Sequence, residues 1–191
     1  LSKTSMNHPI PKPDQYQEMR EALRDLCSKF DSAYWQKIDH ERGYPEAFVK
    51  AMTEAGWLAA LIPEEYGGSG VNYVDYSIII EELARVDPSI ALSTAAHISL
   101  CTSHIYTAGS EEQKQRYLPK LASGEWIGSW ALTEPESGSD AGGTHTKAVL
   151  ENGEWVINGL KTFTTNAHAA DVFVVMAMTD REKASHGISA I

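Results

Sequence analysis

The sequence predicts an α+β protein in which a helical unit is followed by a β unit, and three observations carry that expectation. Apolar residues recur at helical spacing from Tyr16 to Leu118; after Gly124 the pattern shifts to short segments rich in Val, Ile, Thr and aromatics; and the turn dipeptides Asn152-Gly153 and Asn158-Gly159 separate those segments. Runs of helix followed by runs of strand argue for two successive units, with a boundary near Gly124.

Residues 1–13, with Pro9, Pro11 and Pro13, predict an extended N-terminal arm ahead of a helical unit over 14–124. Asp14 pairs with Gln17 as a cap, and Tyr16, Met19, Leu23, Leu26, Phe30 and Tyr34 then predict one amphipathic helix. Pro45 opens a second helix through Phe48 and Met52, which Gly56 closes. After the glycine-rich break from Pro63 to Gly70, Asn72 is placed to cap a third helix carrying Tyr76, Ile79, Ile80 and Leu83. Asp87 and Pro88 start a fourth helix that runs toward Gly109, with apolar or small residues nearly all the way round, as a central enclosed helix requires. Ser110 and Gln113 form a capping box for a short fifth helix, which Pro119 and Gly124 help to end.

Over 125–191, the segments 126–133, 144–150, 154–158, 172–178 and 187–191 predict strands. The last of them stops on the apolar Ile191 without a partner sequence, an edge that suggests a longer β domain cut short.

With 42% hydrophobic and 22% charged residues, the chain has the composition of a globular protein. A formal net charge of -10 and the lack of any dense Lys/Arg cluster argue against nucleic acid as a partner. No stretch approaches the length of a membrane-spanning helix, and Leu1 to Pro13 lacks the apolar core of a signal peptide. Cys27 and Cys101 fall within apolar helical patterns, so free thiols in a reducing compartment are expected: the bacterial cytoplasm, or the mitochondrial matrix for a eukaryotic chain.

The most informative stretch, Ala131 to Gly143, reads ALTEPESGSDAGG. Glycine permits close main-chain approach there, and the hydroxyls of Thr133, Ser137 and Ser139 suit flavin or phosphate oxygens, although composition alone favours an ordinary polar turn. The stretch resembles the acyl-CoA dehydrogenase signature, in which Thr-Glu-Pro precedes a Gly-Ser-Asp bend. Asn158 to Asn166, reading NGLKTFTTN, resembles the second flavin segment of that family at its usual separation. The resemblance extends upstream through Pro63 to Gly68, Glu81 to Ala84 and Gln113 to Pro119. It implies an N-terminal all-α domain, the first part of an antiparallel β-barrel-like middle domain, an FAD cofactor, and α,β-dehydrogenation of an acyl-CoA thioester with hydride passing to flavin N5.

Carried over by residue, the resemblance places Trp130, Leu132 and Thr133 along the flavin ring, Gly138 and Ser139 on the CoA and FAD side of the bend, and Phe163 on the ring face away from substrate. Thr164 falls behind the ring, and the Thr165 hydroxyl near N5. Phe163 stands where many relatives have Trp, and Thr164 where they have Ile or another apolar residue. Ser139, Ala96 and His97 are the implied substrate contacts, with β-core packing the plain alternative for Phe163 and close packing the plain alternative for Ala96.

Glu134 is structural in the family, whose catalytic carboxylate comes from a C-terminal helical domain. No catalytic residue is therefore assigned among these 191 residues, and the isolated chain is expected to be inactive. The implied partners are acyl-CoA and an electron-transfer flavoprotein, in a homo-oligomer that is usually a tetramer. The rival readings are a non-catalytic assembly half of a heteromeric flavoenzyme and an acyl-CoA oxidase or flavin monooxygenase relative.

His97 and His104 lie seven apart, but no Cys or carboxylate completes a metal set beside them. Gly67-Gly68-Ser69-Gly70 lacks the Lys-Ser/Thr ending of a phosphate loop. Glu81 and Glu82 read as a solvated or salt-bridged helix face.

Overall fold

The computed structural model describes residues 16–191, so the arm and the Asp14 cap lie outside the described residues. The helix expected from Tyr16 to Tyr34 is two helices, α1 (Gln17–Cys27) and α2 (Ser32–Glu41). Asp31 causes the break: its carboxylate accepts the Tyr34 amide at 2.9 Å, which starts a new helix. The apolar spacing runs on across the break because Phe30 still packs edge-on against Tyr34, with ring centroids 5.0 Å apart.

The next three helices begin where their caps predict. Pro45 precedes α3 (Glu46–Glu54), and Gly56 follows it with φ +79°. The Asn72 side chain accepts the amides of Val74 and Asp75 at the start of α4 (Tyr73–Val86), and Asp87 accepts those of Ser89 and Ile90 at the start of α5 (Pro88–Ala95). From α5 the chain passes without interruption through a π-helical segment, Ala96–Thr102, into α6 (Ser103–Ala108). Within that segment the Ser99 and Thr102 hydroxyls bond back to the carbonyls of Ala95 and Ile98, competing with the regular ladder.

The Ser110–Gln113 capping box opens α7 (Glu111–Ala122), which continues through Pro119 and beyond it. Leu118 and Leu121 are fully buried, and the packing of that face outweighs the one backbone bond proline cannot make.

The main core joins α1, α3, α4 and the central helix through Leu23, Phe48, Met52, Ile79, Leu83 and Ile98. Each such side chain contributes roughly 1.5–3 kcal/mol of burial. Beside it, the carboxylate of Glu82 is enclosed and neutralised by Arg20 at 2.5 Å and Arg24 at 2.8 Å, while Glu81 pairs with Arg20 from the solvent side. A second cluster, Ile62, Tyr66, Leu118 and Leu121, is packed by Trp126 and Val172 and so fastens the helices to the sheet. Cys27 and Cys101 are buried free thiols.

The strands are β1 (Gly128–Ala131), β2 (Lys147–Glu151), β3 (Glu154–Asn158), β4 (Val172–Met178) and β5 (Ile188–Ala190), in the order β1-β4-β2-β3 with β5 also on β4. The α+β class follows the sequence. The β2–β3 and β4–β5 pairs are antiparallel, and the first turns on Asn152 and Gly153, both at positive φ. β1 and β4 pair in parallel, Gly128 opposite Val172, which the long connection between them permits. Among the described residues no helix is long and apolar enough to cross a membrane.

Candidate functional site

The two motif segments, at the end of β1 and just before β4, lie against one another. The Thr162 amide donates to the Thr133 carbonyl at 2.7 Å, and Lys161 Nζ donates to the Leu132 carbonyl at 2.8 Å. On the β1 side, the buried Ser129 hydroxyl donates to the Thr165 carbonyl at 2.6 Å. These bonds occupy the carbonyls and leave donors over. Among the described residues, the amides of Leu132 and Thr133 have no hydrogen-bonded acceptor. The side-chain donors Trp130 Nε1 and Thr162 Oγ1 are buried without a partner as well.

Glu134 fastens the arrangement. Its buried carboxylate accepts the amides of His145 at 2.7 Å and Thr146 at 2.9 Å, and the Lys161 ammonium at 2.8 Å. Burial alone would push this carboxyl up, but the Lys161 charge and the two amides outweigh it and hold the group down at about 2. With its lone pairs directed to fixed donors, Glu134 is not poised to take a proton. The Thr-Glu-Pro segment then doubles back on itself through reciprocal bonds between Glu134 and Ser137, and the Ser137 hydroxyl bonds the Asp140 carbonyl. Gly138 and Ser139 are left exposed at the tip of the bend.

Phe163 is 93% exposed and holds φ +54°, a left-handed conformation that a bulky residue adopts only under constraint. Among the described residues it does not pack into the β core. Thr164 and Thr165 beside it are half-buried. Asn166, also left-handed at φ +68°, donates its amide to the Ser93 carbonyl at 3.0 Å and the Gly128 carbonyl at 3.2 Å. It ties the second motif to both the central helix and β1.

Ala96 and His97 have almost no exposed surface, and His97 faces β1. His97 Nδ1 accepts the Gly128 amide at 2.9 Å, and burial pulls the imidazole down to about 4, so it stays neutral. One face of Trp130 is covered by His104, with ring centroids 5.3 Å apart. Trp130, Leu132, Thr133 and Phe163 to Thr165 are thus brought together, Gly138 and Ser139 sit at the rim, and Ala96 and His97 are buried in the central helix, His97 against Gly128.

Sequence reasoning assigned no part to Ser129, Lys161 or Asn166. Lys161 and Asn166 were visible as motif letters, but their partners lie far away in sequence; Ser129 carried no signal beyond its place in a strand.

Comparison with known proteins matches this arrangement. The family model of the acyl-CoA dehydrogenase N-terminal domain matches residues 13–125, and that of the middle domain matches residues 129–191. A short-chain specific acyl-CoA dehydrogenase of Clostridium acetobutylicum is 44% identical over 172 residues, covering 90% of this chain and 45% of that protein. Butyryl-CoA dehydrogenase from Megasphaera elsdenii superposes with a TM-score of 0.86 at 35% identity, over 95% of this chain and 49% of that one. An acyl-CoA dehydrogenase from Bacillus anthracis complexed with FAD superposes with a TM-score of 0.84 at 34% identity, over 95% of this chain and 31% of that one. The chain spans about half the length of the curated relatives it matches. By its motifs, its fold and both family models, the chain belongs to the acyl-CoA dehydrogenase family.

Proposed function

We propose that this chain is the FAD- and thioester-binding part of an acyl-CoA dehydrogenase, with a helical unit over 14–124 and the first part of a middle β domain over 125–191. The observation that carries the reading is the junction of the two motifs, which holds Phe163 out of the core beside unpartnered donors. An apolar ring with a polar edge fits both needs. The relative complexed with FAD supports the choice of cofactor.

FAD, when bound, supplies a two-electron acceptor for the hydrogen leaving the β carbon of the thioester. The chain's residues hold and orient it: Phe163 and Trp130 offer aromatic surface, the Leu132 and Thr133 amides offer donors to its polar edge, and Thr164 packs behind it. The Thr165 hydroxyl would be a donor to the bound flavin, on a backbone immobilised by Ser129 and Asn166. Gly138 and Ser139 receive the CoA and phosphate side of the ligands. Ala96 and His97 shape the acyl wall from the central helix, His97 through its bond to the Gly128 amide of β1. Glu134 is engaged by Lys161 and the His145 and Thr146 amides, and the resemblance to the family assigns the carboxylate that removes the α proton to a C-terminal helical domain.

An electron-transfer flavoprotein reoxidises the enzyme in this reading, and the complete protein is a homotetramer. The buried free thiols favour the bacterial cytoplasm or mitochondrial matrix. The names of the short-chain and butyryl-CoA relatives make butyryl-CoA the first substrate to try.

Titration of the purified chain with FAD, followed by flavin fluorescence and visible absorbance, tests the proposal. Saturable quenching that weakens on Thr165→Val and Phe163→Ala substitution is expected. A chain with a native circular dichroism spectrum that leaves free FAD unchanged overturns it.

A further inference from the structure

The hydrogen bonds of the Lys161 ammonium both lie outside its own segment. Its side chain is 10% exposed and spans two groups of the other motif, the Leu132 carbonyl and the Glu134 carboxylate, each at 2.8 Å. Leu132 and Thr133 are the residues whose amides remain without acceptors, so the ammonium grips the peptide that presents the Thr133 donor, next to the one that presents the Leu132 donor. Two positions further along from Lys161, Phe163 is held in its strained, exposed conformation. The ion pair is enclosed, with the Glu134 side chain at 4% exposure, so its two charges are weakly screened by solvent and close to whatever the junction holds.

Resting on the flavin reading above, we propose that Lys161 is a positioning residue: it sets the register of the two cofactor segments and, with Glu134, balances the charge felt by the bound flavin. Removing either partner leaves the other buried and uncompensated. A purely structural clip would respond to both losses alike. A pair that also sets the local field responds with opposite signs, because Lys161→Met leaves a net negative charge and Glu134→Gln a net positive one.

The experiment compares FAD affinity and flavin midpoint potential in the wild-type chain, Lys161→Met, Glu134→Gln and the double variant. Each single variant should lose about tenfold in affinity, the scale of one unsatisfied buried group. The potential should fall in Lys161→Met, rise in Glu134→Gln, and return toward wild type in the double variant.

If Lys161→Met does not fold, Lys161→Arg carries the test. It keeps the charge and hence the potential, but its planar fork cannot reproduce both bonds, so affinity still drops. Wild-type affinity and potential in the variants, or potential shifts of the same sign, overturn the inference while leaving the flavin reading in place. Failure of the wild-type chain to take up FAD overturns both.

Discussion

His97 accepts the backbone amide of Gly128 through Nδ1 at 2.9 Å, so the central helix holds β1 by a hydrogen bond that only a neutral imidazole can make. Cys101, one helical turn further on, packs on the same glycine. This contact places the strand whose far end carries Leu132 and Thr133, and it gives the fold a pH dependence and a steric limit.

The pH dependence follows from the imidazole, which burial depresses to about 4 in the folded chain from its ordinary 6.5. Above 6.5 both folded and unfolded states carry neutral His97 and the group makes no difference. As pH falls from 6.5 toward 4, only the unfolded state gains the proton, and stability declines by up to about 1.4 kcal/mol per pH unit. Glu134, held at about 2, adds a separate loss as pH falls below its ordinary value of 4.5 toward 2. Urea unfolding between pH 7.5 and pH 4 should show the first decline, and His97→Asn should flatten it. An unchanged decline in that variant would assign it to other groups.

Steric closeness limits position 128. A Cβ on Gly128 would come within 2.7 Å of both Cβ and Sγ of Cys101, closer than real contacts allow. Gly128→Ala should cost about 1–3 kcal/mol, the range for overpacking. Cys101→Ala alone should cost less, and the double variant should recover part of the loss. Equal and additive effects in the thermal unfolding midpoints would mean that the two residues do not share this space.

Phe163 separates stability from binding. Because the ring is 93% exposed, removing it forfeits little packing, and glycine relieves the left-handed backbone at φ +54°. Phe163→Gly should leave the unfolding midpoint unchanged or raise stability by up to about 1 kcal/mol. FAD affinity should fall by about tenfold in the same protein, for an aromatic contact of about 1.5 kcal/mol. A clear loss of stability would show that the ring serves the fold.

The helical unit was largely legible because its punctuation is local. Asn72, Asp87 and the Ser110–Gln113 box bond to amides two or three residues away, and Asn152-Gly153 sets its hairpin within the turn itself. The break at Asp31 had the same kind of signal, but the apolar spacing ran across it. At Pro119 a strong local signal was overridden, since the burial of Leu118 and Leu121 lies in contacts with other elements.

Motif letters alone marked the two segments that meet at the end of β1, which was enough to recognise the family. They carried no information about the burial of His97, the parallel pairing of β1 with β4, or the saturation of Glu134. Each of these depends on groups brought together across 11 or more residues, such as Glu134 with His145, or on whole elements packing face to face. Caps and tight turns are written in neighbouring residues because their hydrogen bonds close within one turn of chain; a junction such as Lys161 with Leu132 and Glu134 exists only after helix and sheet have packed and excluded water from around it.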